Sequence, residues 1–169
     1  MSDNISEIKR VITVYRDRGV LIDANLLVLL VVGLFDKRLI SNFKHTKQFT
    51  LEDLKTLEAF LDNFKVFITT PNIVTEVSNL CGHLHEGKRE GYSKVFSSLI
   101  KNLREHYIMS DEVCEMKEFF KLGITDAGVV RLADKDFLVL TDDFALSQTL
   151  QKQGFSVFNF NHLRLLGWT

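Results

Sequence analysis

Apolar and polar positions fall along the chain in blocks that switch between a helical period and short unbroken runs. Residues 3–18 carry Ile5, Ile8, Val11, Ile12 and Tyr15 at three- and four-residue spacing, which predicts a helix ended by Gly19. Val20-Leu21-Ile22, closed by Asp23, has no polar interruption and reads as a strand buried on both faces. Ala24 to Leu34 is strongly apolar and helical at its start, whereas Phe35 to Gln48 is more polar and contains Lys37, Arg38, Lys44, His45 and Lys47. Thr50-Leu51-Glu52-Asp53 has the form of a capping box and predicts a helix to about Asn63, burying Leu51, Leu54, Leu57, Phe60 and Leu61.

Lys65 to Thr69 reads as a second strand. Pro71 suits the first turn of a helix that carries Glu76 and runs to about Leu80. Residues 82–91 are polar and bounded by glycine, hence a loop, followed by a helix from about Tyr92 to Glu105 and a minor strand at Tyr107-Ile108-Met109. Ser110 is placed to cap a helix over 111–121, Gly123 to break it, and Thr125 to cap another through about Ala133. Phe137 to Thr141 is a strand, Phe144 to Gln153 a helix stopped by Gly154, and Phe155 to Phe160 the last strand. Strands alternating with helices predict an α/β fold: a three-layer α/β/α sandwich on a central parallel sheet of four or five strands, joined by right-handed crossovers.

Composition narrows the picture without changing it. At 169 residues, with 46% hydrophobic residues and one proline, the expected organisation is a single domain over 1–169, with a core at about 20–160 and the N-terminal helix 3–18 outside it. The net charge of -1 does not advertise a polyanionic partner, although an acidic site would mask basic residues elsewhere. Cys81 and Cys114 are far apart and lack CxxC spacing, so neither a disulfide framework nor a zinc site is expected. Met1-Ser2-Asp3-Asn4 does not begin a signal peptide. The apolar stretch from Leu26 to Phe35 falls short of the roughly 18 residues that span a bilayer. The expectation is a soluble, cytoplasmic protein with no membrane partner.

Chemistry enters with the acids at element boundaries. Asp23 closes the first strand, Glu76 and Asp126 sit early in helices, and Asp142 and Asp143 follow the strand ending at Thr141. In a parallel sheet all of these positions lie along one edge, outside the carboxyl ends of the strands. Like charges gathered there repel unless a cation lies between them or some stay protonated. Hard divalent ions such as Mg²⁺ or Mn²⁺ suit that role. Each acid has a plainer use as well: Asp23, Asp142 and Asp143 as helix caps, Asp126 beside a helix dipole, and Glu76 as a solvated helix residue.

The local sequences around these acids resemble the PIN-domain family of metal-dependent nucleases. Asp23-Ala24-Asn25 looks like that family's Asp-x-Asn opening, with Asn25 orienting a carboxylate or a loop. Thr70-Pro71-Asn72-Ile73-Val74-Thr75-Glu76 is similar to its second motif. Leu122-Gly123-Ile124-Thr125-Asp126-Ala127-Gly128 is similar to its third. Thr141-Asp142-Asp143 fits its Thr-x-Asp, by which register Asp143 is the acid, Asp142 the variable position, and Thr141 adds a hydroxyl.

The resemblance covers roughly residues 20 to 160. It departs from compact family members in the long stretch 34–64, in 81–110, and in the N-terminal helix.

The resemblance implies an endoribonuclease whose Mg²⁺ or Mn²⁺ is held by Asp23, Glu76, Asp126 and Asp143, with Asp142 the alternative to Asp143 as the fourth ligand. Alternatively, Glu76 orients the attacking water from outside the metal's ligand set. Phosphates would be met by Lys37, Arg38, Lys44, Lys47, Lys88, Arg89 and Arg131, all of which also read as solvated surface. Most phenylalanines fit core stripes rather than base-stacking positions. His83 and His85 read as polar loop residues rather than a metal pair.

Many small solitary members of the family resemble VapC-type toxins, which are inhibited by an antitoxin partner and often form a homodimer; this chain is longer than that group. A catalytically inactive PIN-fold binding module is the alternative, and it would be expected to lack one of the acids. Phosphatase and receiver-like readings fit less well. Asn25 stands where a dehalogenase-type phosphatase needs a second Asp, and the strand ending at Thr69 ends without an Asp.

Overall fold

The computed structural model describes residues 2–82, 84, 87, 89–133 and 136–166. The side chain of Ile5, the His83–His85 pair and Lys88 lie outside the described residues. Helix α1 (Ser2–Tyr15) leads into strand β1 (Val20–Ile22), α2 (Ala24–Phe35), a 3-10 turn (Lys37–Leu39), α3 (Leu51–Leu61), β2 (Phe67–Thr69), α4 (Pro71–Cys81) and α5 (Arg89–Ile100). Then come β3 (Leu103–Glu105), α6 (Ser110–Cys114), α7 (Phe119–Leu132), β4 (Leu138–Thr141), α8 (Phe144–Lys152), β5 (Val157–Asn159) and α9 (Phe160–Leu166).

The five strands form one all-parallel sheet in the order β3-β2-β1-β4-β5. From β1 the chain steps outward through β2 to β3, then crosses back to lay β4 and β5 on the other side. Strand order therefore reverses between β1 and β4, the place at the carboxyl ends of the strands where open α/β sheets commonly take their ligands. Right-handed crossovers in opposite directions put their helices on opposite faces. Accordingly α2 packs against α3, α4 and α5, while α7 packs against α6 and α8, completing a three-layer α/β/α sandwich.

The central strands are unbroken apolar runs because both faces are covered: every residue of β1 and of β4 is buried. The long apolar stretch is α2, buried from Leu26 through Gly33. The capping box at α3 forms as expected. The Thr50 hydroxyl accepts from the Asp53 amide at 3.1 Å, and the Asp53 carboxylate accepts from the Thr50 amide at 2.7 Å. Helix α1 stops at Tyr15, short of residue 18, and the chain leaves it through Gly19 at φ +121°. No helix among the described residues is long and apolar enough to cross a membrane. Cys81 is buried, Cys114 is exposed, and both are free.

Several boundaries differ from expectation. The helix expected to run to Glu105 ends at Ile100, and Leu103–Glu105 is the third strand, so the strand does not lie at 107–109. As a sheet edge, β3 has one half-buried residue and two exposed ones and carries no apolar run to mark it. Met109, not Ser110, is the cap residue of α6, with no side-chain bond. The helix expected over 111–121 is split between α6 and the start of α7. Gly123 interrupts α7 at φ 79° and ψ 177°. The last strand ends at Asn159, and the chain turns at once into α9, a helix the sequence reading did not anticipate.

Candidate active site at the carboxyl edge of the sheet

In the register of the sheet Ile22 lies beside Leu140, and Thr141 beside Asn159, so Asp23 stands next to Thr141 one position further on. The ladder continues there, with the Asp23 amide donating to the Leu140 carbonyl at 3.1 Å. Asp23 is 4% exposed and caps α2, one carboxylate oxygen accepting from the Leu26 amide at 2.9 Å. Its other oxygen accepts from the Asp142 amide at 3.0 Å. The first acid is thus tied directly to the turn that carries Asp142 and Asp143. Burial, and then the charge of Asp142, push the Asp23 carboxyl well above the usual carboxylate range, against opposing hydrogen bonds from Thr141, Leu26 and Asp142.

The β4–α8 turn is fixed from several sides. The Asp143 amide donates to the Thr141 hydroxyl at 2.9 Å, and the Asp143 carboxylate caps α8 by accepting from the Leu146 amide at 2.7 Å. Asn25 donates to the Asp142 carboxylate at 3.3 Å. The Asp142 carboxyl is also raised, chiefly by burial, while Asn25 and the charge of Arg164 pull the other way.

Asp126 reaches the same edge from α7, on the turn that follows the Gly123 break. Its carboxyl is raised to about 7 by burial first, then by the charges of Asp143, Glu76 and Asp142. Glu76 is half-buried on α4, one turn past the Thr70 cap and Pro71. Helices α4 and α7 pack together, although each belongs mainly to a different layer, and this contact brings Glu76 within electrostatic range of Asp126. Asp23, Glu76, Asp126, Asp142 and Asp143 therefore form one electrostatic neighbourhood.

They do not form a ready-made cage. Among the described residues, no group of three or more His, Cys, Asp or Glu side chains stands close enough to hold one metal ion. Asp23 and Asp143 are turned toward helix amides, and mutual repulsion favours that arrangement. A carboxylate oxygen that accepts one hydrogen bond keeps a second lone pair, so these caps remain capable of binding a cation. Carboxylates and a hydroxyl make a hard-oxygen donor set, which suits Mg²⁺ or Mn²⁺.

The expected phosphate-binding residues are scattered. Lys37 and Arg38 follow the far end of α2; its 12 residues, at 1.5 Å per residue, put them about 18 Å along the helix from Asp23. There Lys37 faces Glu58 at 3.8 Å and Arg38 pairs with Asp36 at 2.9 Å. Arg131 pairs with Glu112 at 3.4 Å, and Arg89 opens α5 beside a cavity between α4 and α5. Lys44 and Lys47 are exposed on the stretch leading to α3.

The sequence reading missed Phe144, which is 69% exposed immediately after Asp143. It also missed Asn159, Asn161 and Arg164, which adjoin the acidic turn from β5 and α9. Only the position of Phe144, directly after an acid, could have flagged it.

No family model matches this chain, and no curated protein matches it.

Proposed function

We propose that this protein is a divalent-metal-dependent endoribonuclease that cleaves RNA phosphodiester bonds at the acidic edge of its sheet. The observation that carries the reading is the convergence of acids from four separate parts of the chain at the strand-order reversal, with the carboxyls of Asp23, Asp126 and Asp142 all raised. Asp23 and Asp143 serve as helix caps, but capping does not require the acids of four chain segments to lie together, and a counter-ion between them offsets the cost of gathering their charges.

Asp23, Asp126, Asp142 and Asp143 would hold the ion, with Glu76 at the periphery. A bound Mg²⁺ or Mn²⁺ would supply Lewis-acid polarisation of the phosphate and neutralise developing charge. The chain's own contribution is orientation. The Thr141 hydroxyl and Asn25 amide hold the carboxylates of Asp23 and Asp142 in place. Exposed Phe144 offers a face on which an unpaired base can stack.

The absence of a ready-made metal cage among the described residues also fits a binding module without catalysis. Cleavage of labelled single-stranded RNA with Mn²⁺ separates the two. The nuclease reading predicts cutting that EDTA abolishes and that Asp126→Asn slows by about a hundredfold or more, the order expected when a transition-state stabiliser is removed. A folded protein that cuts nothing under any divalent ion would leave the binding module as the better account.

A further inference from the structure

Helix α9 meets the acidic edge through two side chains whose contacts run in one direction, from α3 to the Asp142–Asp143 turn. Arg164 makes a two-pronged pair with the buried carboxylate of Asp53, Nε to one oxygen at 2.8 Å and Nη2 to the other at 3.0 Å. Its Nη2 also donates to the Gln48 carbonyl at 3.4 Å, and its guanidinium lies over the Phe49 ring at 5.8 Å. Asp53 is itself locked by the capping box of α3. The fork is therefore held at its base, and a planar guanidinium so held presents its remaining Nη1 group in a set direction.

Of the two N–H groups left, both on Nη1, one donates to the Asn161 side-chain oxygen at 3.2 Å. The acceptor role leaves the Asn161 amide nitrogen as donor, and it donates to the Asn159 side-chain oxygen at 3.0 Å and the Asp142 carbonyl at 3.1 Å. The orientation of the Asn161 side chain is therefore fixed by its partners on both ends. The Asp142 carbonyl and the Asp143 N–H belong to one planar peptide unit. Asn161 grips its oxygen, and the Thr141 hydroxyl grips its N–H at 2.9 Å. The two acids on either side of that peptide are thereby set relative to each other.

We infer that Asn161 and Arg164 are positioning residues of the acidic site: Asp53 holds Arg164, Arg164 orients Asn161, and Asn161 fixes the peptide that joins Asp142 to Asp143. Neither side chain has to touch substrate to act in this way. The hold on the turn stands on the hydrogen bonds alone; its consequence for cleavage rests on the nuclease reading.

The test is amide hydrogen exchange by NMR on the full chain, comparing wild type with Asn161→Ala, Asn161→Asp and Arg164→Lys. Loss of the grip should speed exchange at the Asp142 and Asp143 amides at least tenfold in both Asn161 variants, and less in Arg164→Lys, which keeps the charge but loses the fork. Exchange at Val139 and Leu140, inside β4, should stay as in wild type. If Asn161→Ala does not fold, the isosteric Asn161→Asp and the milder Arg164→Lys report the same amides. Unchanged exchange at Asp142 and Asp143 in a folded variant overturns the inference. So does equal acceleration across β4, which would mean that α9 merely packs.

Mn²⁺ titration by calorimetry on the same proteins is a separate arm, with affinity expected to fall about tenfold in Asn161→Ala. Wild type that takes up no Mn²⁺ would count against the nuclease reading, and the exchange data would still decide the inference.

Discussion

Asp126 is a half-buried carboxyl whose pKa rises to about 7 because burial and three neighbouring acids disfavour its charge. An unfolded Asp titrates at about 3.9. Between about pH 4 and pH 7 the folded state therefore binds more protons than the unfolded one. The stabilising contribution is fully present below the lower value and is lost as pH rises through the upper one. Without divalent ions, wild-type stability should fall over that window, and Asp126→Asn should flatten the fall. At pH 8 the variant should then melt higher than wild type by about 2–4 °C for each kcal/mol recovered. Melting curves from pH 4 to 8 in EDTA check this, and an unchanged slope in the variant would refute the assigned environment.

Asp23, Asp142 and Asp143 were legible in the sequence because they sit where a short apolar run stops, and Asp126 because it follows the Gly123 break; Glu76, a turn inside α4, had only its local pattern to mark it. Asn161 and Arg164 were not legible. Phe160 ends the stretch read as the last strand, and the same residue opens α9; the one local mark of that start is Asn159, whose side-chain oxygen accepts from the Asn161 amide at 2.9 Å. Their role also depends on Asp53, more than a hundred residues earlier, and no local pattern reports such a pairing.

Among the elements, α7 shows how backbone conformation delivers a side chain. Gly123 adopts φ 79° and ψ 177°, a region open essentially to glycine, and the helix restarts there in a direction that brings Asp126 to the sheet edge. Gly123→Ala should cost about 1–3 kcal/mol from backbone strain, although nothing lies within 4 Å of where its Cβ would sit. Chemical denaturation would show a lower midpoint with an unchanged m-value. A variant as stable as wild type would mean that the break is not required. Short strands such as β3 defeated the sequence reading for a related reason: edge position removes the apolar run, and neighbouring helix signals then extend over it.

For the whole molecule, topology does what no single motif can. The reversal of strand order beside β1 puts the ends of β1 and β4 next to each other, and the packing of α4 on α7 brings Glu76 and Asp126 to the same place. The fold class was legible because strands and helices alternate. The convergence followed only once parallel pairing fixed which ends share an edge. The dispersed lysines and arginines carry no comparable signal, since surface charge tolerates almost any placement.

The central claim is that these acids hold a divalent cation, and Mn²⁺ titration by calorimetry at pH 6 and pH 8 tests it most directly. The account predicts saturable binding that tightens with pH, because protons compete for carboxyls whose pKa values are raised, and that weakens at least tenfold in Asp126→Asn. Failure of the folded wild-type protein to bind Mn²⁺ at pH 8, or binding unaffected by Asp126→Asn, would contradict it.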